Sequence, residues 1–69
     1  MKSDLRDIDV IYVHATDRAV LVRSDEDAPE VWIPLAQVEI EAPDGGHLRR
    51  GRPARLTAPE SLLVEKGLV

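Results

Sequence analysis

Apolar and polar residues alternate along most of this chain in short runs, a period-two pattern that predicts strands rather than helices. The first run, Ile8-Asp9-Val10-Ile11-Tyr12-Val13-His14, is rich in β-branched and aromatic residues. Ile8, Val10, Tyr12 and His14 fall on one face, Ile11 and Val13 on the other, and both faces are largely apolar. Such a strand belongs in the middle of a sheet or around a barrel. Ala15-Thr16-Asp17-Arg18 reads as a turn, and Ala19-Val20-Leu21-Val22-Arg23 as a second two-sided strand. The run Ser24-Asp25-Glu26-Asp27-Ala28-Pro29 carries no large apolar side chain and predicts an exposed hairpin loop. A third strand, Glu30-Val31-Trp32-Ile33, stops at Pro34, which has no N–H to give to a ladder. Pro34-Leu35-Ala36-Gln37 is long enough for one 3₁₀ turn before Val38-Glu39-Ile40-Glu41, whose clean alternation turns Val38 and Ile40 inward.

The second half is punctuated differently. Pro43-Asp44-Gly45-Gly46 is the strongest turn signal in the chain, and His47 to Pro53 is a basic segment with almost no apolar content. Ala54-Arg55-Leu56-Thr57 predicts a short fifth strand with Ala54 and Leu56 inward. A helix is expected over residues 58–66, with Thr57 and Glu60 spaced as a capping box and Pro59 tolerated in the first turn. Lys66 suits its negative end, and Gly67 stands where a left-handed residue would fold Leu68 back onto Leu63. Met1 to Asp7, mostly charged, is expected to be a loosely held end. The fold predicted is mainly β: one small domain with about five strands in an SH3-like, partly open barrel and a C-terminal helix. That comparison is an analogy of fold and carries no function.

Two blocks of the chain carry a resemblance. Ala19-Val20-Leu21-Val22-Arg23, followed after a polar turn by Val31-Trp32-Ile33-Pro34 and Gln37, resembles short proteins encoded by bacteriophages and prophages, whose pattern runs A-V-L-V then W-I-P-K-S-Q. Thr57-Ala58-Pro59-Glu60 with Leu62 and Glu65-Lys66-Gly67-Leu68-Val69 is similar to the ending P-E-W-L-A-x-E-K-G-L of the same group. Leu35-Ala36 replaces the usual Lys-Ser, and Ser61 the second Trp. The resemblance implies an origin on a mobile element rather than any particular activity; taken with the small size and acidity of the chain, it favours a host protein or protein complex as partner.

Composition narrows the picture further. At 69 residues the core is thin, since a domain of this size buries only about 60% of the surface its unfolded chain exposes. No cysteine is present, which removes disulfides and thiolate metal sites and fits a reducing cytoplasm. The N-terminus lacks the apolar run of a signal peptide and no stretch nears the ~20 apolar residues of a membrane span, so a soluble, cytoplasmic protein without a membrane partner is expected. Charge is unevenly spread: Met1 to Gly46 has eleven carboxylates against four bases (−7), and His47 onward has five bases against two acids (+3).

Three groups of residues are candidate sites. Trp32, beside Glu30, falls on the face opposite Val31 and Ile33, where an exposed indole could anchor a partner. A thin-cored chain without Phe instead favours burying this ring, with the C-terminal helix covering that face. Asp25, Glu26, Asp27 and Glu30, with Glu39, Glu41 and Asp44, could present carboxylates to a basic groove that normally holds nucleic acid, or could simply form a solvated surface. Arg49, Arg50, Arg52 and Arg55 could grip phosphates in a weak, salt-sensitive nucleic-acid contact, or balance the acidic half internally. The acidic loop lacks the spacing of an EF-hand, and His14 and His47 have no neighbouring His or Cys, so no metal or other cofactor is expected. Ser3, Ser24 and Ser61 lie in an end, a loop and a helix rather than on a nucleophile elbow, so an enzyme is not expected either. The favoured expectation is a protein-interaction module, with nucleic-acid binding through the arginines second. Exposed strand edges also make a homodimer a candidate assembly.

Overall fold

A computed structural model describes residues 4–69. Five antiparallel strands, β1 (Leu5–Ala15), β2 (Ala19–Arg23), β3 (Val31–Pro34), β4 (Glu39–Glu41) and β5 (Pro53–Pro59), form one sheet in the order β3-β2-β1-β5-β4. A 3₁₀ turn, Leu35–Gln37, joins β3 to β4, and a six-residue helix, α1 (Glu60–Glu65), follows β5. The fold is therefore mainly β with a C-terminal helix, as the alternation predicts, and β1 is the central strand.

The short β3–β4 link decides the shape. β3 and β4 are the two edge strands, four inter-strand gaps apart, or about 19 Å if the sheet were flat. The five steps from Pro34 to Glu39, three of them through a 3₁₀ turn rising roughly 2 Å per residue, span only about 13 Å. The sheet must curl to let this link close, which is consistent with a small, partly open barrel. Inside the curl lie Val10, Val20, Val22, Ile33, Ala54, Leu56 and Ala58, with Leu63 of α1 among them. Ile8, Tyr12, Val31, Val38 and Ile40 pack against this cluster.

Three local expectations need correction. β1 begins at Leu5, not Ile8, because β5 runs on to Pro59 and pairs with Leu5, Arg6 and Asp7. The rest of the loosely held end, Met1–Ser3, lies outside the described residues. The same long β5 displaces the start of the helix: Thr57 stays in the strand and its hydroxyl donates to Asp7 Oδ1 at 2.5 Å instead of capping. Helix α1 starts at Glu60, after Pro59, with no side-chain cap, and the Glu60 N–H donates to the carbonyl of Asp4 at 2.9 Å. The third correction is a bulge in β1. Tyr12 pairs with Val22 but His14 pairs with Leu21, so Val13 is an extra residue and His14 is thrown to the face opposite Tyr12.

The helix ends as expected. Gly67 has φ 75, its N–H donates to Val64 O at 3.1 Å, and the Leu68 N–H returns to Leu63 O at 2.9 Å. Both bonds are those of a Schellman ending, and Leu68 packs on the core beside Leu63. Among the described residues no helix is long and apolar enough to cross a membrane.

Candidate functional site on the outer sheet face

Helix α1 plugs the inside of the curl through Leu63, and no element of the described residues lies across the outside. The register places side chains there in cross-strand rows. One row is Trp32, Leu21 and His14, contributed by β3, β2 and β1. The next joins Arg23, Ile11 and Pro53, and further along come Asp9–Arg55–Glu41 and Asp7–Thr57–Glu39. One end of the outer face is thus apolar and aromatic, the other charged.

Trp32 is 47% exposed, which overturns its expected burial. Alternation put the ring on the correct face, but a six-residue helix held by Leu63 sits on the other one. The bulge that displaces His14 brings its imidazole against the indole in a T-shaped contact, with ring centroids 6.4 Å apart and planes at 82°. An edge-to-face contact of this kind restricts the indole's rotamers, so less ordering is left to be lost when a partner docks.

The backbone around Trp32 is accessible too. The Leu35 N–H donates to the carbonyl of Arg18 at 2.8 Å, which makes Ala19–Pro34 a wide pair and Val20–Ile33 a hydrogen-bonded one. By alternation the N–H and C=O of Trp32 point off the free edge of the sheet. Pro34 offers no N–H beside them.

The acidic hairpin lies at the end of the same two strands. Asp25, Glu26, Asp27 and Glu30 are all exposed. Asp25 Oδ1 accepts from the Asp27 N–H at 2.8 Å, and the Ala28 N–H donates to Asp25 O at 3.2 Å, which shapes the loop tip. The fold's one ion pair among the described residues, Arg6 with Glu60 at 2.9 Å, lies elsewhere, so these carboxylates form no ion pair among the described residues.

Arg23 was not singled out by sequence, yet it stands between the aromatic row and the charged rows. Its Nε is buried without a hydrogen-bond partner. A buried donor left unmade costs about 1–3 kcal/mol. Replacing Arg23 by Met keeps most of the stem packing and removes the donor. The variant is expected to gain about 1 kcal/mol, seen as a melting temperature roughly 4–8 °C higher by circular dichroism. A fall of similar size would show that the charge of Arg23 holds the hairpin together.

The four arginines do not form one group. Arg55 lies in β5 on the outer face, flanked in register by Asp9 and Glu41. Arg49, Arg50 and Arg52 occupy a turn ahead of β5 in which the Arg52 N–H donates to Arg49 O at 3.1 Å and Gly51 takes φ 79. No residue of this set forms a contact ion pair among the described residues, and Arg55 alone is placed in register between carboxylates of the acidic half.

No family model matches this chain, and comparison with curated proteins and with solved structures finds no match either.

Proposed function

We propose that the protein is an interaction module whose outer sheet face, centred on Trp32, docks onto a basic surface of another protein. The observation that carries this is the half-exposed indole on the outer sheet face, standing two residues from an acidic hairpin loop whose carboxylates form no ion pair among the described residues. Aromatic anchors of this kind carry a large share of interface energy, and unpaired charges at the rim steer association and select partners. Asp25, Glu26, Asp27 and Glu30 would face arginines or lysines of the partner, while Trp32 and Leu21 enter an apolar recess among them. The resemblance to phage proteins suggests a host complex in the bacterial cytoplasm, and a surface that normally grips nucleic acid would have the required charge. Inhibition of a host defence or nucleic-acid-handling complex follows as the specific form of the proposal.

The test is affinity capture from bacterial lysate after nuclease treatment, comparing the wild type with Trp32→Ala and with an Asp25→Asn, Glu26→Gln, Asp27→Asn variant. The Asn at position 25 keeps the oxygen that shapes the loop. The proposal expects a retained protein partner that both variants lose. A partner held equally by all three forms, or one released by nuclease, would contradict it.

A further inference from the structure

Away from the Trp32 face, the chain holds a concave feature. The turn after β4 and the arginine turn before β5 enclose a cleft of about 360 Å³, lined by Arg49, Arg52, His47, Asp44, Pro43 and Pro53 among others. Its walls are fixed by backbone bonds to the central strand. The Gly51 N–H donates to Tyr12 O at 2.7 Å, and the Tyr12 N–H donates to Arg52 O at 3.0 Å. On the opposite wall the Gly46 N–H donates to Asp44 Oδ1 at 2.8 Å.

We infer that this cleft binds the phosphate group of a small phosphorylated molecule through Arg49 and Arg52, with His47 beside them. Two arginines line one cleft, and neither forms an ion pair or a side-chain hydrogen bond among the described residues. Guanidinium forks match phosphate oxygens bidentately, and the backbone of the turn that carries them is tied to Tyr12 by two hydrogen bonds. Asp44 is the one carboxylate in the lining, which leaves the cleft with a positive balance.

The size of the ligand follows from the surroundings. The volume exceeds what a bare phosphate needs and lies at the low end of small-molecule sites, and the two prolines offer an apolar wall. A nucleic-acid strand would need a continuous basic track. That track is missing: Arg55 lies outside the cleft between Asp9 and Glu41, and the chain as a whole carries −4. A single phosphate meets the two arginines without crossing those carboxylates.

The experiment is a titration of the ¹⁵N-labelled full chain, followed by amide shifts, with pyrophosphate, inorganic phosphate and a ten-nucleotide oligothymidylate, each against sodium chloride of matched ionic strength. Pyrophosphate and phosphate are expected to move the amides around His47, Arg49 and Arg52 in a saturable way and to leave Trp32 unmoved. Arg49→Gln and Arg52→Gln should each weaken pyrophosphate binding about tenfold, with the melting temperature unchanged because both side chains are exposed. Shifts reproduced by sodium chloride, or no saturation with either phosphate, would overturn the inference. So would oligothymidylate binding more tightly than pyrophosphate with a steep salt dependence, which would assign the arginines to nucleic acid.

Discussion

Leu56→Ala is expected to leave the chain largely unfolded at 37 °C. Leu56 is fully buried in β5, with Ile8 of β1 and Ile40 of β4 as its register partners on either side. Truncating a buried Leu costs about 2–5 kcal/mol, because the void is only partly filled by relaxation. A core this small rarely supplies more than about 3–5 kcal/mol in all, so one side chain is worth most of the stability. Val64→Ala, on the exposed side of α1, should change the melting temperature little. Thermal and urea unfolding followed by circular dichroism distinguish the two. A Leu56→Ala protein that melts within a few degrees of wild type would mean that the inside of the curl is not the core.

Trp32→Ala should behave in the opposite way, with binding lost and stability kept. A core Trp truncated to Ala costs about 3–5 kcal/mol, whereas an indole already half in water gives up much less, on the order of 1 kcal/mol. As an interface anchor the same ring is worth about 2 kcal/mol or more, roughly a thirtyfold loss of affinity for the captured partner. The acid-neutralised loop variant should lose the same partner mainly by slowing association, with a flatter salt dependence, since rim charges act mainly on encounter. If Trp32→Ala unfolded the protein as readily as Leu56→Ala, the ring would be core and the outer face would lose its anchor.

Much of this fold was legible from alternation alone. Each predicted strand exists, Ala54 and Leu56 point inward, and Gly67 and Leu68 close the helix through the bonds their positions suggest. What could not be read was non-local. The bulge at Val13 exists only relative to β2, so counting by twos along β1 put His14 with Tyr12 rather than with Trp32. Thr57 satisfies a local helix signal, but pairing between β5 and Leu5–Asp7 outweighs it, because extending a ladder by three residues satisfies more backbone groups than one cap. The exposure of Trp32 turned on a similar point. Its face followed from the pattern, whereas what covers that face depended on where a short helix docks.

The candidate site was partly legible for the same reason. Trp32 and the acidic loop are close in sequence, so a hairpin brings them together whatever the rest of the chain does. Arg23, by contrast, is distinguished only by a buried Nε, which no sequence pattern reveals. The run of arginines looked continuous in sequence and is divided in space, since Arg55 points into a row of carboxylate neighbours and Arg49 and Arg52 line a cleft.

An accessible indole in a negative field is the property on which the proposed contact depends, and a single Trp makes it measurable. Fluorescence quenching of the free protein by caesium, iodide and neutral acrylamide at low ionic strength reports both access and local sign. Acrylamide should quench readily, and caesium should quench more efficiently than iodide, because Asp25, Glu26, Asp27 and Glu30 concentrate cations around the ring. An indole shielded from all three quenchers, or one quenched preferentially by iodide, would contradict the account.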